Sequence, residues 1–141
     1  MSRQPAYARI SMPAGLEAFD LEVQGCAWSG WRSTGKAAAP LVLMLHGTGG
    51  SRVSWRTVLN ELLKSHSAGP SSQPDLQLLI PDLPGHDATH CARHSTHGLR
   101  EMADDLQSLL QALGIQQVDL VVGHSAGAAV AIWLSLLGVP I

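Results

Sequence analysis

Ser125 has both the type and the setting to do chemistry. It stands in Gly123-His124-Ser125-Ala126-Gly127, a G-x-S-x-G stretch between an apolar run and a helix-forming run. A hydroxyl raised on so tight a corner can attack a carbonyl carbon once a base removes its proton. Such a corner brings the end of one element against the first turn of the next. Side chains two before and two after the apex would collide there, so Gly123 and Gly127 carry none. The Ala126 amide points the same way as the hydroxyl, from a helix N-terminus that favours negative charge. A second donor lies upstream, in His46-Gly47-Thr48-Gly49-Gly50. With no side chains at Gly47 and Gly49, the Thr48 amide can face a substrate oxygen.

Two plainer readings of the serine stretch compete with this one. Ser125 could be an ordinary helix N-cap, but an N-cap needs no glycine on both sides. Gly123 and Gly127 also spell the G-x-x-x-G of packed membrane helices. Asp119, His124 and Ser125 interrupt that apolar run and Pro140 closes it, so the roughly 20 apolar residues of a span are not there.

The corner needs a strand before it and a helix after it. Residues 118–122 are apolar apart from Asp119, as a strand covered on both faces should be, and residues 126–137 are good helix formers. Leu41–Leu45 is five apolar residues in a row, a buried strand feeding the glycine-rich loop. A helix follows, with Trp55, Leu59, Leu62 and Leu63 on one face and Ser51 or Ser54 to cap it. Residues 76–80 form a third strand ended by Pro81, then Asp82-Leu83-Pro84-Gly85-His86 turns. In residues 99–113, Leu99, Met102, Ala103, Leu106, Leu109, Leu110 and Leu113 follow the helical period, and Gly114 stops the helix. Asp104, Asp105, Gln107 and Gln111 fall on its solvated face. Nearer the start, Leu16–Val23 and residues 26–31 read as two short strands joined around Gly25, with Trp28 and Trp31 suiting an edge hairpin. Residues 33–40 and 65–75 read as loops. The whole predicts an α/β fold: a β-rich lead-in over 1–39, then a βαβαβα core over 40–141, a mostly parallel sheet with helices on both faces. Both special loops fall at strand carboxyl ends, where open α/β sheets bind ligands.

Other chemistries test poorly against the same residues. The loop at Gly47 lacks the lysine and the second glycine of a phosphate-binding P-loop. The dinucleotide pattern begins at Gly47 and Gly49 but meets Arg52 where its third glycine belongs, and no acid follows at the right distance. His86, His90, His94 and His97 cluster with Cys91, but the segment has no helical period to align ligands and reads as a solvated loop near a cleft, so no metal is expected. Asp104 and Asp105 point about 100° apart on a helix and make no catalytic pair. Cys26 and Cys91 give neither a disulfide framework nor metal-ligand spacing. A net charge of −2 leaves no electrostatic footprint for nucleic acid. The first twenty residues hold no apolar stretch of signal-peptide length, which makes the cytoplasm the expected location. No cofactor is expected.

Taken together, residues 40–139 resemble the α/β-hydrolase superfamily. The likeness rests on His46-Gly47-Thr48-Gly49-Gly50, Asp82-Leu83-Pro84-Gly85-His86 and Gly123-His124-Ser125-Ala126-Gly127, in that order. It implies Ser125 as the nucleophile, the Thr48 and Ala126 amides as an oxyanion hole, and a small-molecule acyl or carbonyl substrate: an ester, a thioester or a C–C bond next to a carbonyl. More narrowly, the wording of the three motifs resembles the hydrolase-like accessory proteins of magnesium chelatase in bacteriochlorophyll synthesis, which implies an alternative, non-catalytic or tetrapyrrole-binding role. In the superfamily the acid and the histidine of the triad follow the serine. Here sixteen residues follow Ser125, and none is His, Asp or Glu. The chain is therefore expected to be the N-terminal portion of one hydrolase domain, inactive by itself, with its serine strand left at a sheet edge open to self-association.

Overall fold

The computed structural model describes residues 11–33, 38–67, 76–94 and 96–141. The inner parts of the two expected loops, at 34–37 and 68–75, lie outside the described residues.

Among the described residues six strands form one sheet. They are β1 (Leu16–Val23), β2 (Cys26–Ser33), β3 (Leu41–Leu45), β4 (Gln77–Pro81), the two-residue β5 (His90–Cys91) and β6 (Leu120–Gly123). The order is β1-β2-β4-β3-β6, with β5 paired to β2 off that path. β3 runs parallel to β4 and to β6. β2 is antiparallel to each of its partners β1, β4 and β5, so it alone runs against the rest. The sheet is thus mixed but mostly parallel in direction. β1 and β2 meet in a two-residue turn with Gln24 at φ 48° and Gly25 at φ 81°. That pair of left-handed residues matches the right-handed twist of the flanking strands.

Among the described residues three α-helices cover the sheet: α1 (Arg56–Ser67), α2 (Leu99–Ala112) and α3 (Ala126–Leu136). Alternation along β3 shows why both faces must be covered. Leu41, Leu43 and Leu45 point to one side and pack with Met102, Leu106 and Leu109 of α2 and Val130 and Leu134 of α3. Val42 and Met44 point to the other and pack with Leu59 of α1, together with Leu78 and Ile80 of β4. A continuous apolar run is what a strand buried on both faces requires. Asp119, the polar exception in the next apolar run, has its own task. Its carboxylate accepts from the Leu41 amide at 2.7 Å, while its own amide donates to the Leu41 carbonyl at 2.9 Å. It pins the start of β6 to the start of β3 and so sets the register that places Gly123 opposite Leu45.

Several expectations need correction. The β1–β2 hairpin does stand at one edge of the sheet, but β1 is the edge strand: β2, which carries Trp28 and Trp31, lies between β1 and β4, and both tryptophans are buried. α1 continues to Ser67, past the expected loop start at 65. The histidine-rich segment is not simply a solvated loop, because Thr89 and Cys91 are buried and β5 adds to the sheet at Cys26. Cys26 and Cys91, paired across β2 and β5, are joined in a disulfide. They stand 65 positions apart in the sequence, so no local spacing announced the pair. Asp105 lies not on the solvated face of α2 but on its core face, 1% exposed, three residues after Met102 and four before Leu109. Burial raises its pKa, opposed by the charges of His94 and Arg93.

β6 ends the strand order, and Leu120, Ile132 and Leu136 are exposed on it and on α3. Among the described residues no helix is long and apolar enough to cross a membrane.

Candidate active site

The Ser125 corner depends on close backbone approaches. A Cβ on Gly123 would sit 2.6 Å from the Cα and N of Ala128, inside the first turn of α3. A Cβ on Gly127 would overlap the carbonyl oxygens of Leu45 and His46. Gly123 is therefore bare for the expected reason. Gly127 is bare for a different one: it admits the end of the neighbouring strand β3. Gly47 completes the contact, since a Cβ there would lie 2.8 Å from Nδ1 of His124 and 3.2 Å from Cβ of Ser125. The His124 amide donates to the Leu45 carbonyl at 3.0 Å. The glycine loop after β3 and the corner after β6 are thus packed backbone to backbone.

Ser125 itself has φ 53° and ψ −116°, a region that residues with a Cβ rarely enter. Such strain costs about 1–3 kcal/mol and persists only where the surroundings fix it. Ser125 stands at the N-cap position of α3, yet its side chain makes no capping hydrogen bond. Backbone bonds close the turn instead: Gly127 donates to His124 at 2.9 Å, and Ala128 and Ala129 donate to Ser125 at 3.0 and 3.3 Å. The exposed hydroxyl and the Ala126 amide are left unused by this turn.

Ser125 lines a cavity of about 530 Å³ with His124, Gly47, Thr48 and Gly49. Ala126 is half-buried and is not in the wall. His46 is in the wall but buried. Its ring is fixed from both sides. The Leu83 amide donates to Nε2 at 2.9 Å, so Nδ1 carries the hydrogen and donates to the Gly47 carbonyl at 2.8 Å. One neutral imidazole therefore ties the turn after β4 to the glycine loop after β3. Burial lowers its pKa, the bond to Gly47 partly restores it, and the neighbouring His86, 5.1 Å away ring to ring, lowers it again. A neutral ring in the folded state and an ordinary one in the unfolded state fix the sign of a pH effect. The stability from His46 is complete above its ordinary value of 6.5 and is lost as pH falls through the lower folded value. Urea midpoints measured from pH 8 down to pH 5 should fall in that window, and a His46→Gln variant should lack this component.

Sequence reasoning missed the residues that hold the loop. Arg52 and Asp82 form a buried ion pair, Nη2 to Oδ2 at 3.3 Å. The Arg52 amide also donates to Asp82 Oδ1 at 2.7 Å, and its guanidinium donates to the Gly30 carbonyl and to Ser29 Oγ on β2, at 2.8 and 2.9 Å. The pair locks the short helical turn Arg52–Trp55, which Ser51 caps as expected, against β2 and the end of β4. A charged residue opening a helix straight after a glycine loop, with an acid directly after the next strand, was the available signal. Trp55 and Val58 were also missed as cavity residues. Both line the Ser125 cavity, with Val58 exposed, and give it an apolar wall.

A mostly parallel sheet, helices on both faces and a strained serine at a strand–helix corner define a class of α/β proteins that present a hydroxyl at the sheet's carboxyl end. The family model described as the alpha/beta hydrolase fold matches residues 40–139, and the chain belongs to that family. It is 37% identical over 103 residues to the magnesium-chelatase 30 kDa subunit of Rhodobacter capsulatus, covering 73% of this chain and 32% of that protein. Among solved structures it is similar to a protein of Acinetobacter baumannii AYE provisionally named a lipase, with TM-score 0.72 and 26% identity over 89% of this chain and 39% of that one. It is also similar to the epoxide hydrolase VrEH1 of Vigna radiata, with TM-score 0.66 and 31% identity over 91% of this chain and 36% of that one. The chain thus spans about a third of the length of the curated relative.

Proposed function

We propose that Ser125 is the nucleophile of a serine hydrolase acting on an ester, a thioester or a C–C bond next to a carbonyl, with the Thr48 and Ala126 amides as its oxyanion hole. The observation that carries this reading is the strained, uncapped and exposed hydroxyl of Ser125 beside the bare Gly47–Thr48 backbone of one cavity. Attack by Oγ on the carbonyl carbon forms a C–O bond and moves the carbonyl π pair onto oxygen; collapse of that tetrahedral intermediate re-forms the carbonyl, expels the alcohol, thiol or carbon leaving group and leaves the acyl group on Ser125. Two preorganised amides stabilise that oxygen, and losing one such donor typically costs about 3–4 kcal/mol. The proton of Oγ must pass to a base. His46 cannot serve, because both of its ring nitrogens are engaged. No base or acid is assigned among these residues: in this family both follow the serine, and no His, Asp or Glu follows Ser125 in this sequence. These residues alone should therefore show no ester turnover. The exposed β6 edge should make them self-associate, and Leu120→Lys should raise the monomer fraction in sedimentation velocity.

The likeness to the magnesium-chelatase subunit favours a second reading, a non-catalytic accessory or tetrapyrrole-binding protein of pigment synthesis. A fluorophosphonate, which reacts with activated serines, separates the two. Labelling of the natural-length polypeptide at Ser125, abolished by Ser125→Ala, supports the hydrolase. An unlabelled protein that binds porphyrin supports the accessory role.

A further inference from the structure

One buried group on the α2 side of the sheet, Asp105, has ion-pair neighbours but no hydrogen bond. Cys26, Cys91 and Asp105 are all buried, and their sulfur and carboxylate atoms lie within 4.8 Å of one another. Both Asp105 oxygens lack a hydrogen bond. His94 Nε2 lies 3.3 Å from Asp105 Oδ1 as an ion-pair neighbour, and that nitrogen too is buried without a hydrogen bond. Arg93 Nη1 stands off at 3.6 Å and donates instead to Gln24 at 2.9 Å. A neutral disulfide offers a buried carboxylate no hydrogen bond, and a buried carboxylate without one calls for an explanation.

We propose that, in the reduced protein, Cys26, Cys91, Asp105 and His94 Nε2 hold one zinc-class divalent cation in place of the disulfide. The donor set is the kind that zinc takes: two sulfurs, an imidazole nitrogen and a carboxylate oxygen. Tetrahedral zinc with bonds of about 2.0–2.3 Å places neighbouring donors roughly 3.3–3.8 Å apart. Three of the four donors, the two sulfurs and an Asp105 oxygen, already lie within 4.8 Å of one another, and His94 Nε2, 3.3 Å from Asp105 Oδ1, would close on the sulfurs as the S–S bond opens. The charge also balances. Two thiolates, a carboxylate, a neutral imidazole and a dication sum to −1, and the Arg93 guanidinium beside Asp105 offsets it. A dithiol reductant supplies the two electrons and two protons that open the S–S bond and is itself oxidised to a disulfide. The cation then replaces the two thiol protons, which go to solvent. With four protein donors and no open position, the site is structural. It ties the start of β2 and β5 to α2, and it does not depend on what Ser125 does.

Cobalt(II) reports such a site by its thiolate charge-transfer and tetrahedral ligand-field absorption. The natural-length protein, reduced and freed of reductant under argon, should bind one Co²⁺ per chain at this site, and Zn²⁺ should displace it. The oxidised protein should show no thiolate band. Asp105→Asn should weaken binding by at least the roughly 10–100-fold typical of losing an outer-sphere partner. The same substitution removes a buried charge that no hydrogen bond satisfies, so the metal-free variant should unfold at an equal or higher urea concentration. His94→Ala should weaken binding while leaving the thiolate band. Absence of a thiolate–cobalt band in the reduced protein, or unchanged affinity in Asp105→Asn, would overturn the proposal.

Discussion

Replacing Ser125 with alanine in the natural-length polypeptide should lower kcat for its acyl substrate by on the order of 10⁶-fold, the scale seen when a serine nucleophile is removed. KM should change little, because the alanine retains the cavity formed by Thr48, Trp55 and Val58. A glycine at the same place should separate chemistry from folding. It relieves the strain at φ 53°, about 1–3 kcal/mol, against the 0.5–1 kcal/mol or so that a glycine's extra chain entropy costs. Ser125→Gly should therefore be as inactive as the alanine variant and at least as stable as the parent. Urea unfolding and steady-state kinetics on the two variants check both halves. Retained turnover in either variant would remove Ser125 from the mechanism.

Arg52→Ala should be the most damaging of the stability changes. Asp82 is 0% exposed, and Arg52 supplies the counter-charge that faces its carboxylate. Breaking a buried pair by removing one member typically costs about 3–5 kcal/mol, against a total stability of about 5–15 kcal/mol for an ordinary domain. Burial already raises the Asp82 pKa despite the arginine, so without Arg52 the carboxyl should take up a proton nearer neutrality. The double variant Arg52→Met with Asp82→Asn should recover most of the loss, because it removes both charges and keeps an acceptor for the residue 52 amide. The functional consequence follows from position. Arg52 opens the helical turn directly after the loop that carries Thr48. Loosening it should lower kcat more than binding, and the double variant should restore kcat only as far as it restores that turn.

What was legible in the sequence was local. The five-residue apolar run of β3 and the heptad-like leucines of α2 announced their elements, because burial on two faces and burial on one face leave different periods. The serine corner was legible because tight approaches demand glycine at fixed offsets. The Gly127 contact with Leu45 and His46 was not legible, since it depends on which strand lies beside β6. The same holds for Cys26 with Cys91 and for Arg52 with Asp82. Each meets its partner across the sheet or between layers, and no local period records which strands pair. Asp105 was the nearest miss: its spacing from Met102 and Leu109 put it on the apolar face, and only its charge argued otherwise. The histidine-rich segment was misread for a related reason. Its polar residues hid that Thr89 Oγ1 accepts from the Ser29 amide at 3.0 Å and docks the segment on β2.

The account rests on one geometric claim, that the Ser125 oxygen and two amides from separate loops converge on a single point. The crystal structure of the natural-length protein after reaction with a fluorophosphonate tests it most directly. The account predicts phosphorus bonded to Ser125 Oγ, with one phosphonyl oxygen about 2.7–3.1 Å from both the Thr48 and Ala126 nitrogens. An unmodified Ser125, or an adduct whose oxygen reaches neither amide, would contradict it.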